Sequence, residues 1–316
     1  METVSVIIPC YNIGDRIERG VRSLQAQTHP CHEIIIVDDG SSDGSPEIAK
    51  RLAAEDPRIK LIVMPQNGGV SRARNAGFRA ATGDWLAILD GDDTWRPERN
   101  AALLARAREY GADYVMDNMI IHDVVAGRDT RKMIAPSWDV LPLPQVTFWQ
   151  HCIFGTAMFA IMKMMVRRSF MERTGHAYDE DTKNAQDLIF HADALALGAK
   201  AIVVAEPYYV YSARIGDVSH KRNKSSRTKM DFALLTTRID AFARRRADAI
   251  DPATARAIAR SRESFKVAAR LNTIYRARRE NVAKALVLLA RDPAALKMML
   301  RQRYRAFITS RPPYTL

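Results

Sequence analysis

The chain has 316 residues, 47% apolar and 27% charged, with a formal net charge of +12. That length allows one large domain or two, and the apolar share is ample for a packed core. No stretch reaches the roughly 18–20 apolar residues that cross a bilayer; the nearest, residues 153–166, is too short and carries Lys163.

The first residues, Met-Glu-Thr-Val-Ser-Val-Ile-Ile-Pro, have neither a basic region nor a small-residue cleavage site, so no secretory signal is expected. Cys10, Cys31 and Cys152 are scattered without metal or redox spacing, which fits a reducing cytoplasm. The charge is uneven. Residues 212–316 hold 25 Lys and Arg against 8 Asp and Glu, and residues 1–211 hold 23 against 28. A basic last third attracts nucleic acid, an anionic membrane surface or an anionic substrate.

In chain order, Val4 to Pro9 is a β-branched run ending in Pro9-Cys10-Tyr11-Asn12, a buried strand and a turn. Ile17, Val21 and Leu24 share one face of a first helix. Ile34 to Val37 is a second strand that stops in Asp38-Asp39-Gly40. A helix from Pro46 to Ala54 and a strand from Ile59 to Met64 follow. Val70 to Ala81 is then a small-residue helix, able to pack close to a sheet and present Arg74. Unalternated strands separated by helices predict a parallel sheet covered on both faces, with ligands at the carboxyl ends of its strands.

The apolar run Trp85 to Leu89 ends in Asp90, Asp92 and Asp93, with Gly91 freeing the backbone to turn. Carboxylates this close repel unless a cation, a proton or solvent neutralises them. Hard oxygen ligands suit Mg²⁺ or Mn²⁺ bridging a carboxylate to substrate phosphates; the alternative is a solvated acidic turn. Pro97 stands at the first position of a helix bearing Leu103, Leu104 and Ala107, and Tyr114 to Val125 is a further strand or hairpin arm.

Residues 126–147, punctuated by Pro136, Pro142 and Pro144, read as loop. Residues 148–170 are apolar and Met-rich, as a core segment is. Asp179-Glu180-Asp181 precedes Gln186-Asp187, which opens a helix running to Leu197 and ending at Gly198. Residues 201–204 form a short strand, and 207–211 an aromatic stretch. Beyond Ser212, Phe232, Leu235, Ile239 and Phe242 make an amphipathic face. Asp251-Pro252 and Asp292-Pro293 open two more helices. Leu296, Leu300, Tyr304 and Phe307 form a last apolar face opposite Arg301, Arg303 and Arg305.

No Gly-x-Gly-x-x-Gly follows the first strand and no Gly-x-x-x-x-Gly-Lys-Ser/Thr loop occurs, which excludes a dinucleotide fold and a P-loop enzyme. The segments Val4–Asn12, Val37–Gly44, Asn67–Gly77 and Leu89–Asp93, in this order and spacing, resemble the family-2 inverting glycosyltransferases. The resemblance covers residues 1–220 and implies the GT-A fold, an α/β fold with a mostly parallel central sheet. It divides the chain into a nucleotide-sugar-binding half (1–125), an acceptor half (126–220) and a basic helical C-terminal extension (221–316).

The resemblance also implies roles. Pro9, Tyr11, Asn12, Asp38 and Asp39 fall where the family holds the nucleotide, Tyr11 stacking on the base and Asp39 accepting from a base N–H. Arg74, Asp90, Gly91 and Asp92 complete the nucleotide-sugar site. Asp90 and Asp92 match the family's Asp-x-Asp, with Asp92 or Asp93 as the direct ligand of Mn²⁺ or Mg²⁺ and Asp90 beside them. Gln186-Asp187 occupies the slot of the family's Glu-Asp, which makes Asp187 the base; Asp179, Glu180 and Asp181 are rivals. Arg214 and His220 match the loop that closes on the diphosphate, although the basic residue usual directly after the tyrosine is absent at Ser212.

The implied reaction transfers a sugar from a nucleotide-diphosphate sugar, a UDP-sugar by preference, to a saccharide or lipid-linked saccharide in cell-surface polysaccharide synthesis. One displacement inverts the centre to a β-glycoside. A sugar-nucleotide nucleotidyltransferase is the rival enzyme, but it brings a Gly-rich loop where Pro9-Cys10-Tyr11-Asn12 stands. A non-catalytic module using the basic helices on nucleic acid is the rival of another class, and no nucleic-acid motif supports it. The extension is expected to dock on the anionic inner face of the cytoplasmic membrane, or else to complete the fold or form a homodimer.

Overall fold

The computed structural model describes residues 1–134, 136–154, 159–182, 185–213 and 231–300. Its elements, in chain order, begin with β1 (Val4–Cys10), α1 (Arg16–Gln25), β2 (Glu33–Asp38), α2 (Ser45–Glu55), β3 (Ile59–Val63) and α3 (Val70–Ala80). Then come β4 (Trp85–Ile88), β5 (Thr94–Trp95), α4 (Arg99–Tyr110), β6 (Tyr114–Asp123), β7 (Arg128–Lys132), β8 (Val140–Pro142) and α5 (Gln145–His151). After these follow β9 (Met164–Arg167), α6 (Arg168–Thr174), α7 (Gln186–Ala196), β10 (Ala201–Ala213), α8 (Phe232–Arg245), α9 (Pro252–Glu280) and α10 (Val282–Ala290). They form two compact units, Met1–Pro144 with Ile161–Thr228, and Gln145–Ala160 with Lys229–Leu316.

In the first unit the sheet order is β3-β2-β1-β4-β9-β6-β10-β5, with β7 on β6 and β8 on β10. The run from β3 to β4 is parallel, as is the β6–β10 pair; β9 and β5 run against their neighbours. β2 and β4 are buried along their whole length, as strands covered on both faces must be. Because β2, β1 and β4 are adjacent and parallel, the loops carrying Asp39, Tyr11 and Asp90 leave one rim of the sheet. α3 reaches that rim by close approach: a Cβ on Gly77 would stand 2.4 Å from Ile7 Cγ2 of β1.

Four expectations change. Residues 126–147 are not all loop; they hold β7, β8 and the start of α5. β7 and β8 are short strands that each pair with a single partner, so neither carries a countable alternation. α4 begins at Arg99, two residues beyond Pro97, with Glu98 at its N-cap. Residues 201–204 and 207–211 belong to one strand, β10, whose register on β6 shifts on either side of Pro207, as expected where proline withholds a ladder donor.

Residues 145–160 fold with the helical unit, although the sequence grouped them with the acceptor half. α5 supplies Phe148 and Trp149, both fully buried, and the Trp149 ring lies 5.4 Å from that of Phe242 on α8. The apolar run 148–170 is therefore core, but of two units. The expected boundary near 220 lies outside the described residues.

The helical unit is capped as its sequence asks. Asp231, Asp251, Asn281 and Asp292 each accept from a backbone N–H two or three residues on. Residues 293–300 are helical after Asp292. Among the described residues no helix is long and apolar enough to cross a membrane, and all three cysteines are buried and free.

Candidate active site

β4 delivers the acidic turn to the rim, and the turn is held from behind by Tyr209 of β10. The Tyr209 hydroxyl accepts from Asp90 N–H at 3.1 Å and donates to Asp93 Oδ2 at 2.8 Å, while Asp93 Oδ1 accepts from Ser212 N–H at 2.8 Å. Asp93 is buried, and burial with the Asp92 and Asp90 charges pushes its carboxyl well above the usual range. Gly91 sits in a close contact, where a Cβ would meet Ile13 Cδ1 at 2.3 Å and Pro9 O at 3.1 Å.

Beside the turn lies a cavity of about 570 Å³, lined by Pro9, Tyr11, Arg16, Asp39, Asp92 and the Asn67–Gly69 loop, and also by Glu180, Thr182 and Gln186. Tyr11 is 39% exposed. Asp39 builds the opposing loop: its oxygens accept from Gly68 N–H and Gly69 N–H, both at 2.8 Å, and from the Asn67 side chain at 2.9 Å. Gly69 at φ +91° needs the freedom glycine has there.

The deepest feature is a four-membered ion-pair network. Arg74, from α3, donates to Asp90 at 2.8 Å and to Asp187 at 2.6 Å. Lys163, from the residues before β9, stands 2.6 Å from Asp187 Oδ2 and 3.0 Å from Asp90 Oδ2. Tyr178 donates to Asp187 Oδ1 at 2.9 Å, its ring stacked on Phe190 at 4.0 Å and lying under the Arg74 guanidinium. Burial alone would raise Asp187; the Arg74 and Lys163 charges outweigh it and hold the carboxyl well below the usual range. Asp187 also lies in the first turn of α7, where the helix dipole favours an anion. One turn on, burial pushes His191 down to about 4, and its ring nitrogens pair with Tyr114 and the Met162 carbonyl.

Of the residues singled out in the sequence, Pro9, Tyr11, Asp39 and Asp92 line one cavity, and Asp90, Arg74 and Asp187 are joined beside it. Four expected nucleotide contacts are placed otherwise. Asn12, at φ +50°, ties its loop to the next through Ser41 and Ser42. Asp38 is buried and accepts from Ser41 N–H, and Gly91 packs behind Ile13. Arg74 is an interior bridge rather than a lining residue. Asp93, with both oxygens engaged and 1% of its surface exposed, is not among the residues that line the cavity. Glu180 pairs with Arg72 at 3.2 Å and Asp179 caps its own turn. Arg214 and His220 lie outside the described residues.

Sequence reasoning missed Lys163, Tyr178 and Tyr209. A single lysine in the Met-rich run Ile161 to Val166 was the available signal for the first; a buried lysine requires a partner.

Among the described residues no three His, Cys, Asp or Glu side chains group to hold an ion by themselves. A divalent ion held here would draw on phosphate oxygens as well, as Mg²⁺ commonly does. Asp92 fits that use. Its side chain is 40% exposed, with the Arg16 guanidinium 3.6 Å away. Burial and the Asp90 charge push its carboxyl up, and a cation would relieve that repulsion.

Residues 5–174 match the model of the family described as Glycosyl transferase family 2. The chain is 36% identical over 223 residues to the succinoglycan biosynthesis protein ExoO of Rhizobium meliloti (strain 1021), covering 68% of this chain and 62% of that protein. It is 32% identical over 212 residues to the uncharacterized glycosyltransferase EpsJ of Bacillus subtilis (strain 168), covering 66% and 60%. The matches thus span about 60% of those relatives' length. Among solved structures, S. aureus TarS 1–349 in complex with UDP-GlcNAc superposes with a TM-score of 0.60 at 20% identity, covering 76% of this chain and 65% of that one. The likeness to TarS is one of fold.

Proposed function

The chain belongs to glycosyl transferase family 2, and from that premise we propose that it moves a sugar from a UDP-sugar to a hydroxyl of a saccharide or lipid-linked saccharide, with inversion to a β-glycoside, in bacterial cell-surface polysaccharide synthesis. The observation that carries this reading is Arg74. By bonding Asp90 and Asp187 together it joins the carboxylate of the acidic turn to the carboxylate at the α7 N-terminus, each close in sequence to a residue that lines the cavity, Asp92 and Gln186. The UDP donor is in keeping with the nucleotide bound to TarS, and the glycan class with the name of ExoO.

In this reading the uracil ring lies between Tyr11 and the Asn67–Gly69 loop, where Asp39 accepts from its N–H. The diphosphate extends toward Asp92, with Arg16 beside it. Asp92 would hold a Mn²⁺ or Mg²⁺ ion together with the phosphate oxygens; bound there, the ion would stabilise the charge that develops on the leaving diphosphate. Asp187 takes the proton of the acceptor hydroxyl as the new C–O bond forms and the anomeric C–O bond to the diphosphate breaks, general-base help typically worth about 10²–10⁴-fold.

Held by two cations, Asp187 is ionised but weakly basic. An incoming diphosphate offers Lys163 a competing anion, and release of Lys163 would restore basicity at the moment it is needed. The +17 charge of residues 212–316 suits an anionic inner leaflet that presents a lipid-linked acceptor.

A panel of nucleotide sugars with the purified protein and Mn²⁺, scored for donor hydrolysis and for transfer to glycans, tests the proposal. Turnover of a UDP-sugar is expected. A protein that binds no nucleotide sugar with any metal is not this enzyme.

A further inference from the structure

α10 turns its apolar side to solvent. Val282, Leu286 and Val287 are 58, 60 and 49% exposed, Ala283 and Ala290 are exposed with them, and at helical periodicity all five fall on one arc. The opposite side is also apolar: Ala285 is buried in a cluster with Val267, Leu271 and Ile274 of α9, and Leu288 and Leu289 pack against it. A helix apolar all round is ordinarily a buried helix, and among the described residues nothing covers the outer arc. Leu300 adds a fourth large apolar side chain, 54% exposed.

The charges beside this arc decide what covers it. Lys284 stands three residues before Val287 and Arg291 four after, so both lie along its edge. They are exposed, as is Lys297, and none of the three forms an ion pair among the described residues. Residues 231–316 as a whole carry 19 Lys and Arg against 7 Asp and Glu. A second copy of this face would set like charges against one another. An anionic lipid surface accepts both the apolar arc and the cations.

We infer that α10 is the element that lays this protein on an anionic lipid surface, with Val282, Leu286 and Val287 entering the acyl boundary and Lys284 and Arg291 among the headgroup phosphates. The inference deepens the membrane part of the proposed function and rests on that part, not on the sugar chemistry.

Co-sedimentation of the full chain with phosphatidylcholine vesicles, with and without phosphatidylglycerol, at low and high salt, provides the test. The wild type is expected to bind phosphatidylglycerol vesicles and to be released by salt. The pair V282Q and L286Q should weaken binding at least about tenfold, and K284Q with R291Q should weaken it and flatten the salt response. UDP binding by calorimetry should stay unchanged in both, which keeps the catalytic reading separate. Four results overturn the inference. An apolar variant that binds vesicles as the wild type does would mean that another element docks. A wild-type dimer that the variant converts to monomer would make the cover a second copy. A lower melting temperature with unchanged vesicle binding would make it residues 301–316. A wild type that binds no vesicles sinks the membrane part as well.

Discussion

Lys163 Nζ stands 2.6 Å from Asp187 Oδ2, and both groups are shielded from solvent, with 7 and 17% of their side-chain surface exposed. Burial pulls Lys163 down, but Asp187 and Asp90 outweigh it and raise it. The pair is ionised in the resting protein, and each partner holds the other's charge.

Removing the lysine tests this directly. Breaking a buried pair costs about 3–5 kcal/mol, and Lys163→Met should fall at the low end because Arg74 remains. The Asp187 carboxyl is depressed in the fold, so its contribution is complete above the unfolded value of about 3.9 and fades as pH falls through the folded value. The stability gap between wild type and variant should therefore be widest near neutrality and narrow in acid. Urea unfolding across pH reads it; a gap that stays constant into strong acid would mean the two charges are not coupled.

Asp92→Asn should abolish metal-dependent UDP binding while costing little stability, within about 1 kcal/mol. The side chain is 40% exposed and its pair with Arg16 is a long one, at 3.6 Å. Calorimetry with UDP, with and without Mn²⁺, together with a thermal melt, separates the two effects. Unchanged metal-dependent affinity would leave the turn a solvated acidic loop.

Gly77→Ala probes the path from core to site. The new methyl would collide with the Ile7 side chain of β1, Cγ1 at 2.9 Å and Cβ at 3.2 Å besides the nearer Cγ2, an overpacking that typically costs about 1–3 kcal/mol. Arg74 lies three residues earlier on the same helix, so displacement of α3 should also weaken UDP binding. A variant of wild-type stability would show that the α3–β1 approach is looser than these distances.

The alternating strands and helices of the first 125 residues were legible because each strand is a short continuous apolar run bounded by polar turns, and Asp39, Asp90, Asp92 and Asp187 announce themselves as carboxylates at element ends. What escaped depends on distant partners. Tyr209 looks like one aromatic among several until β10 places its hydroxyl under the Asp90–Asp93 turn. Asp93 reads like Asp92, because only Ser212 and Tyr209, more than a hundred residues away, draw it inward. Lys163 is invisible as a site residue because its partners, Asp90 and Asp187, lie on either side of it in sequence and meet only in space. β7, β8 and the start of α5 were lost for a plainer reason: each is too short for its pattern to exceed the punctuation of Pro136, Pro142 and Pro144.

Asp187→Asn is the sharpest test of the chemistry. The amide keeps the size of the carboxylate and one acceptor oxygen but cannot take a proton from the acceptor hydroxyl. It also leaves Arg74 and Lys163 facing a neutral group, so some loss of stability is expected along with the loss of base. A binding readout is needed to tell the two apart. The Pro9, Tyr11, Asp39 and Asp92 side of the cavity should be little affected, leaving UDP affinity near that of wild type, while transfer falls about 10²-fold or more. Asp181→Asn is the control, since Asp181 is exposed. Loss of transfer there with full activity in Asp187→Asn would move the base to the Asp179–Asp181 turn. Loss of UDP binding together with transfer in Asp187→Asn would instead make Asp187 the counter-charge that holds Arg74 and Lys163 in place.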